Sequence, residues 1–139
     1  MMIRVLATLL GAVALQGCAT HTGKQCEDNF TTSGSFLTGK SFTTTSELPT
    51  TAPSIAFTNA YKMLLRESFH VESADPQRGL ISAYQNVNLS SKTAPLNVII
   101  EPVGEGSKVT FIFAAAAGLY TPESGARDKF CEMLGQVTQ

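Results

Sequence analysis

The segment Gly104-Glu105-Gly106-Ser107 constrains this chain most. It separates two runs rich in β-branched and aromatic residues, Leu96–Val103 and Lys108–Phe113. A turn this short cannot carry a crossover, so the two runs must pair antiparallel. In the second run Val109, Phe111 and Phe113 alternate with other residues, which gives that strand one apolar face. Upstream, His70–Ala74 and Gly79–Val87 flank Asp75-Pro76-Gln77-Arg78-Gly79. The Asp-Pro start and Gly end are turn chemistry, and the segment reads as a second hairpin.

Helices flank these four strands. Leu48-Pro49-Thr50-Thr51-Ala52-Pro53 is a breaker followed by a helix start, with Thr51 or Ala52 as cap and Pro53 in the first turn. Phe57, Ala60, Tyr61, Leu64 and Ser68 then recur at helical spacing, with Lys62 and Arg66 on another face. The pattern predicts a helix of roughly sixteen residues ending near Phe69. Thr121-Pro122-Glu123 starts another, whose stripe is Ala126, Phe130, Met133, Leu134 and Val137. Before the first helix, Phe42 and the Thr43–Thr45 run suit a strand over Gly39–Glu47. The order is strand, helix, four strands, helix. The expected fold is α+β: a single antiparallel sheet of about five strands, covered on one face by two amphipathic helices. The first strand is the expected free edge.

Chemistry is sparse. The net charge of −1 argues against a nucleic-acid partner, which would call for a basic stripe. The two histidines, His21 and His70, stand in no nucleophile–base pattern. Gly104-x-Gly106 opens a strand and not a helix, so it is no phosphate loop. Glu101 and Glu105 read as solvated turn charges and not as a glycosidase pair. His21 and Cys26 lack the further ligands of a metal site. The expectation is a non-enzyme without metal or cofactor.

The chain begins MMIRVLATLLGAVALQGC. Arg4 precedes an uncharged stretch, Val5–Leu15, too short for an ordinary bilayer span of about 20 residues and suited to a signal peptide. Leu15-Gln16-Gly17-Cys18 resembles the lipobox of bacterial lipoproteins, with Gln16 departing from the usual small residue. The resemblance implies cleavage after Gly17 and acylation of Cys18, a palmitate-type anchor that holds the chain on a membrane. Ala19 follows the cysteine in place of Asp, which by the same resemblance implies the outer membrane, with the domain facing the periplasm. The alternative is plain secretion with an incidental cysteine. The domain organisation expected is 1–17 signal peptide, 18–35 lipidated tether, and 36–139 a small helix-grip-like domain.

With Cys18 acylated, Cys26 and Cys131 remain, and an oxidising compartment favours pairing them. A buried free thiol at Cys131 or an intermolecular bridge at Cys26 are the alternatives.

The stretch from Ala56-Phe57 through Phe69-His70-Val71-Glu72-Ser73-Ala74-Asp75 to Gly79-Leu80-Ile81-Ser82-Ala83 resembles the helix-grip domains of BamC-type lipoproteins of the barrel-assembly machine. This implies a non-catalytic accessory subunit of an envelope complex, such as barrel-assembly or secretion machinery, with protein partners. The chain carries one such domain where that family usually carries two. A second expectation is a carrier of a small apolar ligand, with Phe57, Tyr61, Phe111 and Phe113 lining the cavity or filling the core. A third is an immunity or inhibitor lipoprotein, which the weak charge of the mature chain fits poorly.

Overall fold

The computed structural model describes residues 22–88 and 90–138. The elements are α1 (Thr22–Asp28), β1 (Thr31–Ser35), β2 (Gly39–Leu48), α2 (Pro53–Arg66), β3 (His70–Asp75), β4 (Leu80–Asn86), β5 (Thr93–Val103), β6 (Gly106–Ala115) and α3 (Glu123–Val137). The six strands form one antiparallel sheet in the order β1-β2-β6-β5-β4-β3. The fold is α+β with helices on one sheet face, as the sequence patterns predict, with six strands in place of about five and a third helix. Helix α2 carries the chain from β2 to the opposite edge at β3, and the β3–β6 meander then returns to close against β2.

Alternation places Phe42, Leu48, Ile81, Ala83, Leu96, Val98, Ile100, Val109 and Phe111 on the buried face. There they meet Ala56, Ala60, Met63 and Leu64 of α2 and Ala126, Phe130, Met133, Leu134 and Val137 of α3. The turn over 75–79 forms as Asp75 Oδ1 accepts the Gln77 and Arg78 N–H groups. Gly79 closes it at φ +68°, where a Cβ would collide with the Ile100 carbonyl.

Three expectations are corrected. Residues 22–35 are not tether: they form α1 and β1. Helix α1 is too short and polar to show an apolar period, and its stability comes from docking. The Thr44 hydroxyl donates to the Cys26 carbonyl at 2.6 Å, and the Asn29 amide donates to the Thr45 carbonyl at 3.1 Å. Strand β1, Thr-Thr-Ser-Gly-Ser, has no apolar residue to reveal it and forms by pairing Thr31–Ser35 with Gly39–Thr43. Consequently the Gly39–Leu48 strand is not an edge; the edges are β1 and β3.

Helix α2 stops at Arg66 and not near Phe69. The Phe69 N–H donates to the Leu64 carbonyl at 2.9 Å and the Ser68 N–H to the Leu65 carbonyl at 3.2 Å. This Schellman closure places Ser68 at φ 61°, a left-handed position that glycine occupies more cheaply. Ser68→Gly is therefore expected to raise stability by up to about 1 kcal/mol, read as a higher urea midpoint at unchanged slope. An unchanged or lower midpoint would show that the freedom glycine adds to the unfolded chain offsets the relieved strain.

Candidate ligand cavity

Between the first half of α3 and the sheet lies a cavity of about 300 Å³. Its apolar walls are Phe69, Phe113, Ala126, Phe130 and Met133, with Thr121 and Pro122 at the entrance to α3. The β6–α3 loop sets Pro122 as the extended residue before the helix, and the helical spacing then turns Ala126, Phe130 and Met133 toward the sheet. Phe113 and Phe130 approach with ring centroids 5.1 Å apart. The volume lies at the lower end of the range of about 300–1,000 Å³ usual for small-molecule sites.

Polar groups gather on one wall. Gln85 Nε2 donates to the Glu67 carbonyl at 2.9 Å. Lys129 Nζ lies 2.8 Å from Glu67 Oε2, and Gln136 Nε2 donates to Glu67 Oε1 at 2.9 Å. The Lys129 hydrogen bond, assisted by Gln136 and by the Lys129 charge, holds the Glu67 carboxyl below its usual range, against an opposing effect of burial. The same hydrogen bond to Glu67, together with the charges of Glu67 and Glu132, holds the Lys129 ammonium above its usual range. Both partners stay charged at neutral pH, so a ligand meets a compensated ion pair beside apolar walls.

The Glu67 side of the pair contributes fully above the ordinary carboxylate pKa of about 4.3 and is lost as pH falls through the lowered value. The Lys129 side contributes fully below about 10.4 and is lost as pH rises through the raised value. Lys129 is half exposed, its side chain at 47% accessibility against 18% for Glu67. The expected cost of Lys129→Met at neutral pH is therefore below about 1 kcal/mol. That cost should vanish in acid, once Glu67 is protonated in both proteins. Urea midpoints of the two proteins across pH decide it, and a difference constant into acid would assign the effect to packing.

Of the residues singled out from sequence as cavity or core, Phe113 alone lines this cavity. Phe111 is 1% exposed in the central core, and Phe57 packs partly buried against that core. Tyr61 is neither core nor cavity; it is 37% exposed, because α2 turns Ala60 and Leu64 inward on either side of it. Cys26 and Cys131 are joined, with Cα atoms 5.6 Å apart, and the bond ties α1 to α3. Cys18 and His21 lie outside the described residues. His70 is exposed and stacks on Tyr84, ring centroids 5.2 Å apart. Glu101 pairs across the hairpin with Lys108 at 2.9 Å. Among the described residues, no group of three or more His, Cys, Asp or Glu is placed to hold a metal ion. No helix among them is long and apolar enough to cross a membrane.

Sequence reasoning missed Phe69, Gln85, Glu67 and Lys129 as cavity residues. Phe130 and Met133 are visible as the α3 stripe, but a stripe does not say whether it meets a wall or a void.

No protein-family model matches the sequence, and no curated protein matches it. Among solved structures, one similar to this chain is a conserved protein of unknown function from Enterococcus faecalis. The identity is 10% and the TM-score 0.54, over 85% of this chain and 80% of that one. Another is Ara h 8.0201, at 9% identity and TM-score 0.42, over 70% of this chain and 94% of that one. The first likeness is one of fold: a sheet gripping helices on one face.

Proposed function

We propose that this chain is a lipid-anchored, non-catalytic protein of the bacterial envelope whose domain binds a small apolar ligand. In this reading Cys18 carries the anchor, the membrane is the outer membrane, and the domain faces the periplasm. The lipobox-like Leu15-Gln16-Gly17-Cys18 supports the anchor. The observation that carries the binding function is the cavity of about 300 Å³ with its apolar walls and compensated ion pair. Such a lining rewards desolvation of hydrocarbon and offers no nucleophile–base pair for chemistry.

Native mass spectrometry of the full-length protein, extracted in mild detergent, tests this. The expected spectrum shows the lipidated chain plus a small co-purified adduct. Ala126→Leu fills the cavity from α3 and should remove the adduct while leaving acyl mass on Cys18. A bare wild-type domain, with no uptake of added medium-chain amphiphiles, would remove the ligand reading.

A second reading is an accessory subunit of an envelope complex. It is favoured by β1, an exposed edge strand without charge, proline or bulge, open to strand addition by a partner. In-cell crosslinking from a photoreactive residue at Ser33 should then capture a discrete protein. Capture unchanged when Thr31 and Ser35 are both replaced by Pro would count against that edge.

A further inference from the structure

The hairpin joining β1 to β2 turns through Ser35-Phe36-Leu37-Thr38. Corner positions of turns favour Gly, Pro, Asn, Asp and Ser. Here they hold Phe36, 50% exposed, and Leu37, 82% exposed. The turn is braced: the Ser35 N–H donates to Thr38 Oγ1 at 3.1 Å, and the Thr38 N–H donates to Ser35 Oγ at 3.2 Å. A second loop joins it, with the Gly118 N–H donating to the Phe36 carbonyl at 2.8 Å. That loop presents Tyr120, 82% exposed. Three large apolar side chains thus share one tip and return little to the folded core. Lys40 and Lys92 flank the tip, their ammonium groups reaching the Thr121 and Ala117 carbonyls at 3.5 and 2.9 Å. Residues 33–41 and 114–122 carry no acidic side chain.

We infer that this tip docks on an anionic lipid bilayer, with Phe36, Leu37 and Tyr120 entering the interface and Lys40 and Lys92 facing the headgroups. A convex knob of Phe, Leu and Tyr between lysines is what a bilayer interface accepts. The placement of the N-terminus agrees. Gln25 Oε1 accepts the Glu47 N–H and Asn29 donates to Thr45, so α1 runs antiparallel to β2. Thr22 therefore sits at the end of the sheet away from the tip, separated by β2, a strand of ten residues or about 30 Å. Three residues, 19–21, stand between Cys18 and Thr22. They reach about 14 Å, enough to lay the β1 edge along one bilayer that holds both the anchor and the tip. Thr121 and Pro122, directly after Tyr120, line the cavity, so docking brings the cavity beside the lipid. Docking itself does not require a ligand; loading of the cavity from the bilayer rests on the ligand reading.

The chain has no tryptophan, so Leu37→Trp supplies a single reporter at the tip. The mature chain from residue 18 onward, carrying Cys18→Ser and so free of both acyl groups and the apolar leader, is mixed with vesicles of phosphatidylethanolamine and phosphatidylglycerol. The expected result is a blue-shifted tryptophan emission and co-flotation, both weakened by salt and weaker still on phosphatidylcholine vesicles. Replacing Phe36, Leu37 and Tyr120 together by Ser should weaken flotation at least about tenfold, with an unchanged thermal midpoint. Unshifted emission in a folded protein, or equal flotation of the Ser variant, overturns the inference. So does a tip that crosslinks to a protein in cells while ignoring vesicles. Acyl mass on wild-type Cys18, measured separately, reports on the anchor alone, and the adduct spectrum reports on the ligand alone.

Discussion

Replacing Cys26 and Cys131 together by Ala is expected to cost this fold about 3–5 kcal/mol. The bond spans 105 residues of sequence, close to the whole described chain. In the chain-entropy account a loop of about 100 residues removes denatured-state freedom equivalent to about 4.7 kcal/mol. A small domain has a total stability of about 5–15 kcal/mol, so the loss is a large share of it. The thermal midpoint should fall by roughly 10–20 °C. The double substitution leaves no orphan thiol, and the Thr44 bond to the backbone carbonyl of residue 26 survives it. Urea unfolding of wild type and variant, each with and without reductant, measures the effect. A variant within about 1 kcal/mol of wild type would mean that packing alone holds α1 on α3 and that the entropy account fails here.

Phe111→Ala should cost a comparable amount, about 3–5 kcal/mol. Phe111 lies at the centre of the sheet, paired with Thr44 on β2 and Val98 on β5, and is 1% exposed. The core there is closed on all sides, so the deletion leaves a void that the strands cannot collapse into. Tyr61→Ala is the matched control. Spacing groups both residues as core or cavity, yet Tyr61 faces solvent on α2 and should cost less than about 1 kcal/mol. Equal losses at the two positions, measured by chemical denaturation, would contradict the packing described.

That contrast shows what the sequence makes legible. The β3–β6 meander is readable because Asp75–Gly79 and Gly104–Ser107 punctuate it and β-branched residues fill it. Helices α2 and α3 are readable because each opens at a proline and carries an apolar period. Spacing locates a face only to within one residue per turn, and Tyr61, adjacent to buried Ala60, falls just outside it. Helix α1 and strand β1 carry no such signal. Their polar residues are ordered by partners far along the chain: Thr44 for Cys26, Glu47 for Gln25, Thr43 for Thr31. The cavity is less legible still. Glu67 closes a helix and Lys129 lies on another, and nothing in either neighbourhood marks them as an ion pair. A void exists only where packed elements fail to meet, which no local pattern records.

The seam between β2 and β6 has a consequence for assembly. Residues 70–115 can form their meander from near neighbours, and β2 can form its hairpin with β1. The two halves join only when Phe42 and Phe113, 71 positions apart in the chain, come together and α3 arrives over the seam. Until then β2 and β6 each expose a long unpaired edge, the vulnerable period for misassembly. Cys131 rides on the last helix and Cys26 on the first, so the native bond links the two ends of the described chain. In the folded chain this pair is a covalent clasp across the seam, holding the first helix to the last over the join between the two halves of the sheet.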